Sequence, residues 1–215
     1  MGTVDSDTSL WQAALLTCGV IAPLVQFASD RITGRLVKGY DFSADSMSDL
    51  CAAGSSVRPL VLGLTLVITA LTVAFAVGVF HWGDLPVRIV AVLIAANPVL
   101  TLVSSVFFPN TLGIRPSFGT PGVLLMAFAV LCFVLAMIVG AFAFTGWMRW
   151  LSIGIPVAYV LLTVGRYATA SMTQETMFGA QERTMVYTYL LWMMALALHR
   201  LYSTGLVHRL TSASS

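Results

Sequence analysis

Three aspartates spaced four residues apart are the first side chains in this chain that could bind a ligand. Asp41, Asp45 and Asp49 lie in the segment YDFSADSMSDLC, which covers residues 40–51. On an α-helix this spacing places the three carboxylates on one stripe and the apolar side chains on another. The segment is therefore predicted to form a short amphipathic helix.

The carboxylate stripe allows two interpretations. Carboxylate oxygens can bind a divalent cation or a cationic headgroup. They can also form ion pairs with basic residues of the same segment, which are Arg31, Arg35, Lys38 and Arg58. We expect the ion pairs, because a spacing of four is common on helices. Tyr40 and Ser48 lie among the aspartates and complete this part of the candidate site.

Further candidates are charged residues beside long apolar stretches. Arg115 is the one charged residue between positions 89 and 148. An arginine in such a place typically binds a phosphate or a carboxylate. Glu182 and Arg183 directly precede the last apolar stretch. The helix dipole favours Glu182 at a helix start but disfavours Arg183, so Arg183 is predicted to have a specific partner.

Two asparagines beside prolines add uncharged candidates. Asn97 precedes Pro98 in the middle of an apolar stretch, and Asn110 follows Pro109 at the end of that stretch. Proline removes a helix hydrogen bond, and an asparagine can then bind the freed carbonyl or a ligand. This pattern predicts a broken helix near Asn97.

Several functional classes are excluded by what the chain lacks. No metalloprotease motif, nucleophile elbow, phosphate-binding glycine loop or paired cysteine motif is present. Two of the three cysteines, Cys18 and Cys132, lie in apolar stretches, so a disulfide framework cannot be drawn. A net charge of +2 without a basic cluster argues against nucleic-acid binding. We expect no cofactor and no metal.

The elements that must position these residues are membrane-spanning helices. Hydrophobic residues make up 58% of the 215 residues and charged residues only 9%, against about 25% in soluble domains. A helix needs about 20 mostly apolar residues to cross the bilayer. The sequence therefore predicts an all-α integral membrane protein. We expect one domain over residues 1–215, with a six-helix transmembrane bundle and an interfacial helix in the first long loop. The predicted spans are 9–28, 59–81, 87–107, 121–145, 149–166 and 184–204.

The predicted loops divide the charges unequally between the two membrane faces. Loops 29–58, 108–120 and 166–183 share one side and hold most of the charged residues. A simple count of basic residues would place these loops inside the cell. Their basic residues are balanced by acidic ones, however, whereas those on the terminal side are nearly unopposed. We therefore predict a multi-pass protein of the cell membrane with both termini in the cytoplasm.

The same motifs carry a resemblance to a known family. The chain resembles the six-span bacterial membrane proteins catalogued as domain of unknown function 998. The resemblance rests on Tyr40-Asp41, on Ser48-Asp49-Leu50 with Gly54, on Phe108-Pro109-Asn110 and on Gly179 with Glu182-Arg183. It implies the six-span fold and a shared face of motifs, but no established reaction. Members often carry a histidine near the start of the fourth span, which the segment 118–122 lacks.

These features together favour recognition or movement of a lipid or small amphiphile at a polar face. Arg115 and Arg183 would contact an anionic headgroup, and the three aspartates would position those arginines or a cationic group. The expected ligand-binding residues are Tyr40, Asp41, Asp45, Ser48, Asp49, Asn97, Asn110, Arg115, Glu182 and Arg183. The expected partners are membrane lipid and a membrane partner subunit, with no nucleic acid.

Two other functions stay open at this stage. An intramembrane enzyme could use Asp45, Asp49 or Glu182 as general acid or base, with a divalent cation that polarises a phosphate. An accessory subunit would have no site, and its small residues Ala70, Ala74 and Gly78 would meet a partner helix.

Overall fold

The computed structural model describes residues 3–111, 119–169 and 178–203 of the chain. These residues form six long helices and one short helix, with an isolated bridge between Ala53 and Thr111 and no β-strand in the described ranges. The helices are α1 Thr3–Leu36, α2 Met47–Leu50, α3 Arg58–Phe80, α4 Leu85–Phe107, α5 Pro121–Ala143, α6 Gly146–Thr169 and α7 Phe178–Ser203. The prediction of an all-α fold is confirmed.

Within the described ranges, four helices are long and apolar enough to cross a membrane. They are Leu10–Leu36, Arg58–Phe80, Leu85–Phe107 and Pro121–Ala143. Large apolar side chains such as Phe107, Phe142 and Trp150 are exposed on the outer surface, with 70%, 80% and 71% of their area accessible. A surface of this kind is stable only against lipid or protein. The helices therefore indicate a membrane-embedded protein.

The predicted count of six spans is not confirmed. Among the described residues, the four helices above are the ones that qualify as spans, and α6 and α7 are not among them. Arg149 and Pro156 lie within α6, and Glu182, Arg183 and Arg200 lie within α7. The charged residues among them make the transfer of a helix from water into hydrocarbon less favourable.

The six long helices pack as a closed ring. Helix α1 contacts α3, α3 contacts α4, and α4 contacts α5. Helix α5 contacts α6, and α6 contacts α7, which returns to α1. The short helix α2 contacts α1 and α7 at their shared junction. A closed ring brings residues from the first and last helices together, although they are far apart in sequence.

Close packing in the ring depends on small residues between large buried ones. A Cβ atom on Gly19 of α1 would lie 2.5 Å from the Phe75 ring of α3. A Cβ atom on Gly78 of α3 would lie 3.0 Å from Leu15 of α1. Small residues let two helix backbones approach each other, which is the usual basis of helix association in membranes. The largest fully buried side chains of the core include Phe75, Ile94, Met137, Met148, Trp192 and Met193.

The first loop differs from the predicted amphipathic helix. Residues 40–45 form turns, and the helix covers only Met47–Leu50. Asp41 accepts from the backbone N–H of Ser43 at 2.8 Å, and Asp49 accepts from that of Ser46 at 3.0 Å. Aspartate side chains compete in this way with helical hydrogen bonds. The predicted single stripe of carboxylates is therefore wrong.

The predicted ion pairs of this loop are wrong as well. None of the three aspartates lies within ion-pair distance of Arg31, Arg35, Lys38 or Arg58 in the described part of the chain, and their carboxylates accept from backbone N–H groups of their own loop. Two helices also depart from expectation. Helix α1 continues to Leu36, past the predicted end at residue 28. Helix α4 continues through Pro98, so the predicted break near Asn97 is wrong.

A buried hydrogen bond joins α6 to α7 and gives the first testable prediction. The indole N–H of Trp192 donates to the Ser152 hydroxyl at 2.9 Å, and that hydroxyl donates to the Met148 carbonyl at 2.9 Å. Ser152→Ala would leave the buried indole without an acceptor. We expect a loss of about 1–3 kcal/mol in the free energy of unfolding, measured by denaturation in detergent micelles. Ser203→Ala, at an exposed site in α7, is the control. Equal stability of the two variants would contradict the prediction.

Candidate functional site

A cavity of about 190 Å³ lies inside the helix ring. Helices α1, α3, α4, α5 and α7 line it, together with α2. Its lining on α3 runs from Val61 to Thr72, which corresponds to about 16 Å along a helix axis. The cavity is therefore elongated along the bundle.

Apolar side chains form much of the cavity wall, and polar side chains are distributed along it. Apolar side chains of the wall are Ile68, Met126, Val130, Phe133, Met185 and Leu190. Polar side chains near α2 are Asp30, Ser48, Ser105 and Glu182, while Asn97 and Tyr189 lie further along the helices. The Asn97 amide donates to the Ala129 carbonyl at 2.8 Å. This distribution matches a molecule with an apolar body and at least one polar group.

A buried ion pair between α1 and α7 lies at the end of the cavity that is next to α2. Arg183 donates from Nε to one oxygen of Asp30 and from Nη2 to the other, both at 3.0 Å. The two residues are 4% and 2% exposed. Tyr187 also donates its hydroxyl to Asp30. Two parallel hydrogen bonds between arginine and a carboxylate are strong and directional.

The rest of the Arg183 guanidinium binds the loop of residues 40–46, called the 40–46 loop below. Its Nη1 donates to the carbonyls of Phe42 and Asp45 at 2.7 and 2.8 Å. Its Nη2 donates to the Tyr40 hydroxyl, which in turn donates to the Ser46 carbonyl at 2.8 Å. Arginine has five N–H donors. All five are used by protein acceptors.

The start of α7 also binds the 40–46 loop through its backbone. The N–H of Gly179 donates to the Ala44 carbonyl at 3.2 Å, and the N–H of Ala180 donates to the Ser43 carbonyl at 2.9 Å. The first N–H groups of a helix have no partner within the helix. The loop supplies these partners and so fixes its own position over the start of α7.

Glu182 directly precedes Arg183 of the ion pair, but its own side chain lines the cavity. Its Oε2 accepts from the backbone N–H of Met47 at 2.6 Å, at the first residue of α2. Burial raises the pKa of Glu182 to about 7, against the lowering effects of the Met47 hydrogen bond and of Arg183. Asp49 and Asp30 raise this pKa further. The carboxyl group therefore changes charge near neutral pH.

Tyr189 contributes an unsatisfied polar group to the cavity lining. The residue is 5% exposed, and its buried hydroxyl has no hydrogen-bond partner. Its ring lies 5.2 Å from that of Phe133 and stacks on Trp192 at 6.2 Å between ring centroids. A buried hydroxyl without a partner is costly, so a bound water or ligand would stabilise it.

The structure separates the predicted site residues into groups. Ser48, Asn97 and Glu182 line the cavity. Arg183, Tyr40 and the Asp45 carbonyl belong to the ion-pair cluster. The carboxylates of Asp41, Asp45 and Asp49 bind backbone N–H groups within the loop, and the Asn110 carbonyl accepts from Ala53 at 2.7 Å. Arg115 lies outside the described residues.

Among the described residues, no group of three potential metal ligands exists.

Sequence reasoning missed Asp30, Tyr187 and Tyr189. The predicted first span ends at residue 28, which places Asp30 in the loop that follows it. The spacing of seven between Glu182 and Tyr189 was an available signal, since two residues seven apart lie on nearly the same helix face. No local sequence pattern around Tyr187 or Tyr189 indicates that these side chains lie inside the helix bundle.

The Asp30–Arg183 pair yields a prediction on stability. We expect Asp30→Asn and Arg183→Met each to lower the free energy of unfolding by about 3–5 kcal/mol, because each leaves the other charge or its donors buried without a partner. The double variant should lose less than the sum of the two. Denaturation in detergent measures this coupling. Arg35→Met, at an exposed position of α1, is the control. Additive losses would show that the pair is not coupled.

The contact between Gly179 and the 40–46 loop yields a second prediction. A Cβ atom on Gly179 would lie 2.1 Å from the Asp45 carbonyl oxygen, so Gly179→Ala must displace the loop. We expect faster trypsin cleavage after Lys38 and a loss of about 1–3 kcal/mol in stability. Gly154→Ala is the matched control, because nothing lies within 4 Å of its added Cβ. Unchanged cleavage in Gly179→Ala would contradict the close contact.

Comparison with known protein families tests the resemblance carried by the sequence motifs. The family described as "Protein of unknown function (DUF998)" matches residues 20–199. The match includes Asp30, Glu182 and Arg183. No curated protein and no solved structure matches the chain. Because the matched segment covers more than half of the sequence, the chain belongs to the family of proteins of unknown function DUF998.

Proposed function

We propose that the protein binds a small amphiphile in the cavity inside its helix ring. The observation that carries this proposal is the cavity itself, which combines many apolar side chains with a few separate polar groups such as Glu182 and Tyr189. Ligand sites are typically of this kind, with mostly apolar walls and a few polar groups that fix orientation. The unsatisfied Tyr189 hydroxyl supports the presence of a bound molecule.

The size of the cavity limits the ligand. An engineered apolar cavity of about 150 Å³ is known to bind benzene. The present cavity of about 190 Å³ therefore suits a small aromatic or short-chain amphiphile, or one segment of a longer lipid.

The proposal includes the arrangement in the membrane. We propose that α6 and α7 cross the cell membrane together with the four more apolar helices, since all six form one ring. The buried side chains of α7, such as Trp192 and Tyr189, would then face the ring interior. Both termini would lie on the cytoplasmic side, and Glu182 and the 40–46 loop would lie at the opposite face.

The role proposed for Arg183 differs from headgroup binding. Because its five donors bind protein groups, Arg183 serves to hold the 40–46 loop and α1 against α7. Residues that line the cavity would instead make the polar contacts to a ligand. They are Glu182, Asn97, Ser48 and Tyr189.

A cavity-filling substitution tests the proposal. Ala129 is 2% exposed and lines the cavity on α5, so Ala129→Phe should fill it. Ala127→Phe makes the same change on the exposed face of the same helix. We expect 2-(4-fluorophenyl)ethanol to bind the unmodified protein and Ala127→Phe. Ala129→Phe should bind it at least about tenfold more weakly, as measured by ¹⁹F NMR in nanodiscs.

Equal binding to Ala129→Phe and Ala127→Phe would place the probe in the lipid and contradict the proposal. The same conclusion follows if the unmodified protein binds no probe. The melting temperature of each variant is measured alongside, so that loss of binding is not confused with loss of fold.

A further inference from the structure

We propose that the cavity selects amphiphiles that carry a protonated amine, and that Glu182 is the residue that binds this amine. The inference rests on the proposed function and adds the chemical class of the ligand. It follows from the charges and free acceptors that face the cavity.

The charged groups of the cavity lining are all acidic. Asp30 and Glu182 line the cavity, and no lysine, arginine or histidine does so among the described residues. Both oxygens of Asp30 already accept hydrogen bonds from Arg183, so this carboxylate is neutralised by its own partner. Glu182 is thus the one lining carboxylate of the described chain without a paired cation. An anionic ligand would meet a like charge here, whereas a cation would be attracted.

Glu182 also has a free acceptor. Its Oε2 is occupied by the Met47 N–H, and no hydrogen bond from the described protein reaches Oε1. A carboxylate can accept about four hydrogen bonds in total. A protonated amine carries N–H donors and a positive charge, so it satisfies both the free oxygen and the uncompensated charge.

The groups around Glu182 do not supply that cation themselves. Helix α1 contributes Asp30, and α2 contributes Asp49 with the thiol of Cys51. The phenol of Tyr40 also interacts with it, while the adjacent Arg183 is committed to Asp30 and the 40–46 loop. Helices α3, α4 and α5 present threonine, serine, asparagine and apolar side chains to the cavity, with no ionisable group among the described lining residues.

The apolar walls argue for an amine with an organic body rather than a bare metal ion. Calcium takes six to eight oxygen ligands and magnesium requires near-octahedral coordination. The lining beyond Glu182 is instead formed by residues such as Met185, Leu190 and Phe133. Tyr189 lies seven residues after Glu182 on α7, which is about 10 Å along the helix axis. This length accommodates a small amine whose apolar body reaches toward Tyr189.

Proton exchange at Glu182 should couple binding to pH. Burial raises the pKa of the Glu182 carboxyl to about 7, so the charged fraction of this group increases from pH 6 to pH 8. A cation binds the charged form, and its binding lowers the pKa of Glu182 and releases a proton. Amine affinity should therefore rise from pH 6 to pH 8, while the affinity of a neutral analogue should not change.

The test compares two probes that differ in one group. 4-Fluorophenethylamine is protonated between pH 6 and pH 8, and 2-(4-fluorophenyl)ethanol is its neutral analogue. Binding of each is measured by ¹⁹F NMR in nanodiscs of neutral phosphatidylcholine. At pH 8 we expect the amine to bind the unmodified protein about tenfold or more tightly than the alcohol. That preference should shrink severalfold at pH 6.

Substitution of the carboxylate provides the second arm. Glu182→Gln keeps an oxygen for the Met47 N–H but removes the charge. This variant should show no preference for the amine over the alcohol at either pH. Asp84→Asn removes an exposed carboxylate before α4 and should keep the preference.

The outcomes separate this inference from the proposed function. If the alcohol binds in the cavity but the amine binds no more tightly at pH 8, the amine selectivity is overturned and amphiphile binding stands. If neither probe binds, both fail. If Glu182→Gln does not fold, the pH series on the unmodified protein decides, because a preference that is independent of pH overturns the role of Glu182.

Discussion

The buried ion pair between Asp30 and Arg183 is the interaction on which the rest of the structure depends. It joins the first long helix to the last and so closes the ring of six helices. A charge pair at this depth is stable only if its remaining donors and acceptors are satisfied. The backbone carbonyls of Phe42 and Asp45 and the hydroxyls of Tyr40 and Tyr187 meet that requirement. The pair therefore dictates the conformation of the 40–46 loop as well as the position of α7.

As a result, the adjacent residues Glu182 and Arg183 of α7 have different roles. Successive helical residues point about 100° apart, so Arg183 faces α1 and the loop while Glu182 faces the cavity. Because the loop and Asp30 accept hydrogen bonds from all five N–H groups of Arg183, this side chain has no donor left for a ligand. The electrostatic character of the cavity then follows from Glu182. Position 179 must be glycine-sized for the loop to approach so closely.

The comparison of prediction and structure shows where local patterns are informative. The apolar stretches identified the helical membrane class, and the motifs around Tyr40, Asn110 and Arg183 identified the family. The prediction that Arg183 has a specific partner agrees with its contact to Asp30. The regular spacing of Asp41, Asp45 and Asp49 was misleading, because each aspartate binds a nearby backbone N–H instead of completing a helix. Spacing alone does not show whether a carboxylate faces solvent or its own backbone.

The sequence by itself determined that this chain is an all-α membrane protein of the DUF998 family. Hydropathy is a sum over neighbouring residues, and a family match compares residues in order, so neither requires knowledge of the fold. Only the tertiary structure decided that Asp30 meets Arg183, 153 residues away, and that Glu182, Asn97 and Tyr189 share one cavity. Asp30, Asn97 and the residues of α7 come from three different helices, and they become neighbours only when the ring closes. The partner of a buried polar group is therefore set by helix packing, which no local pattern in the sequence records.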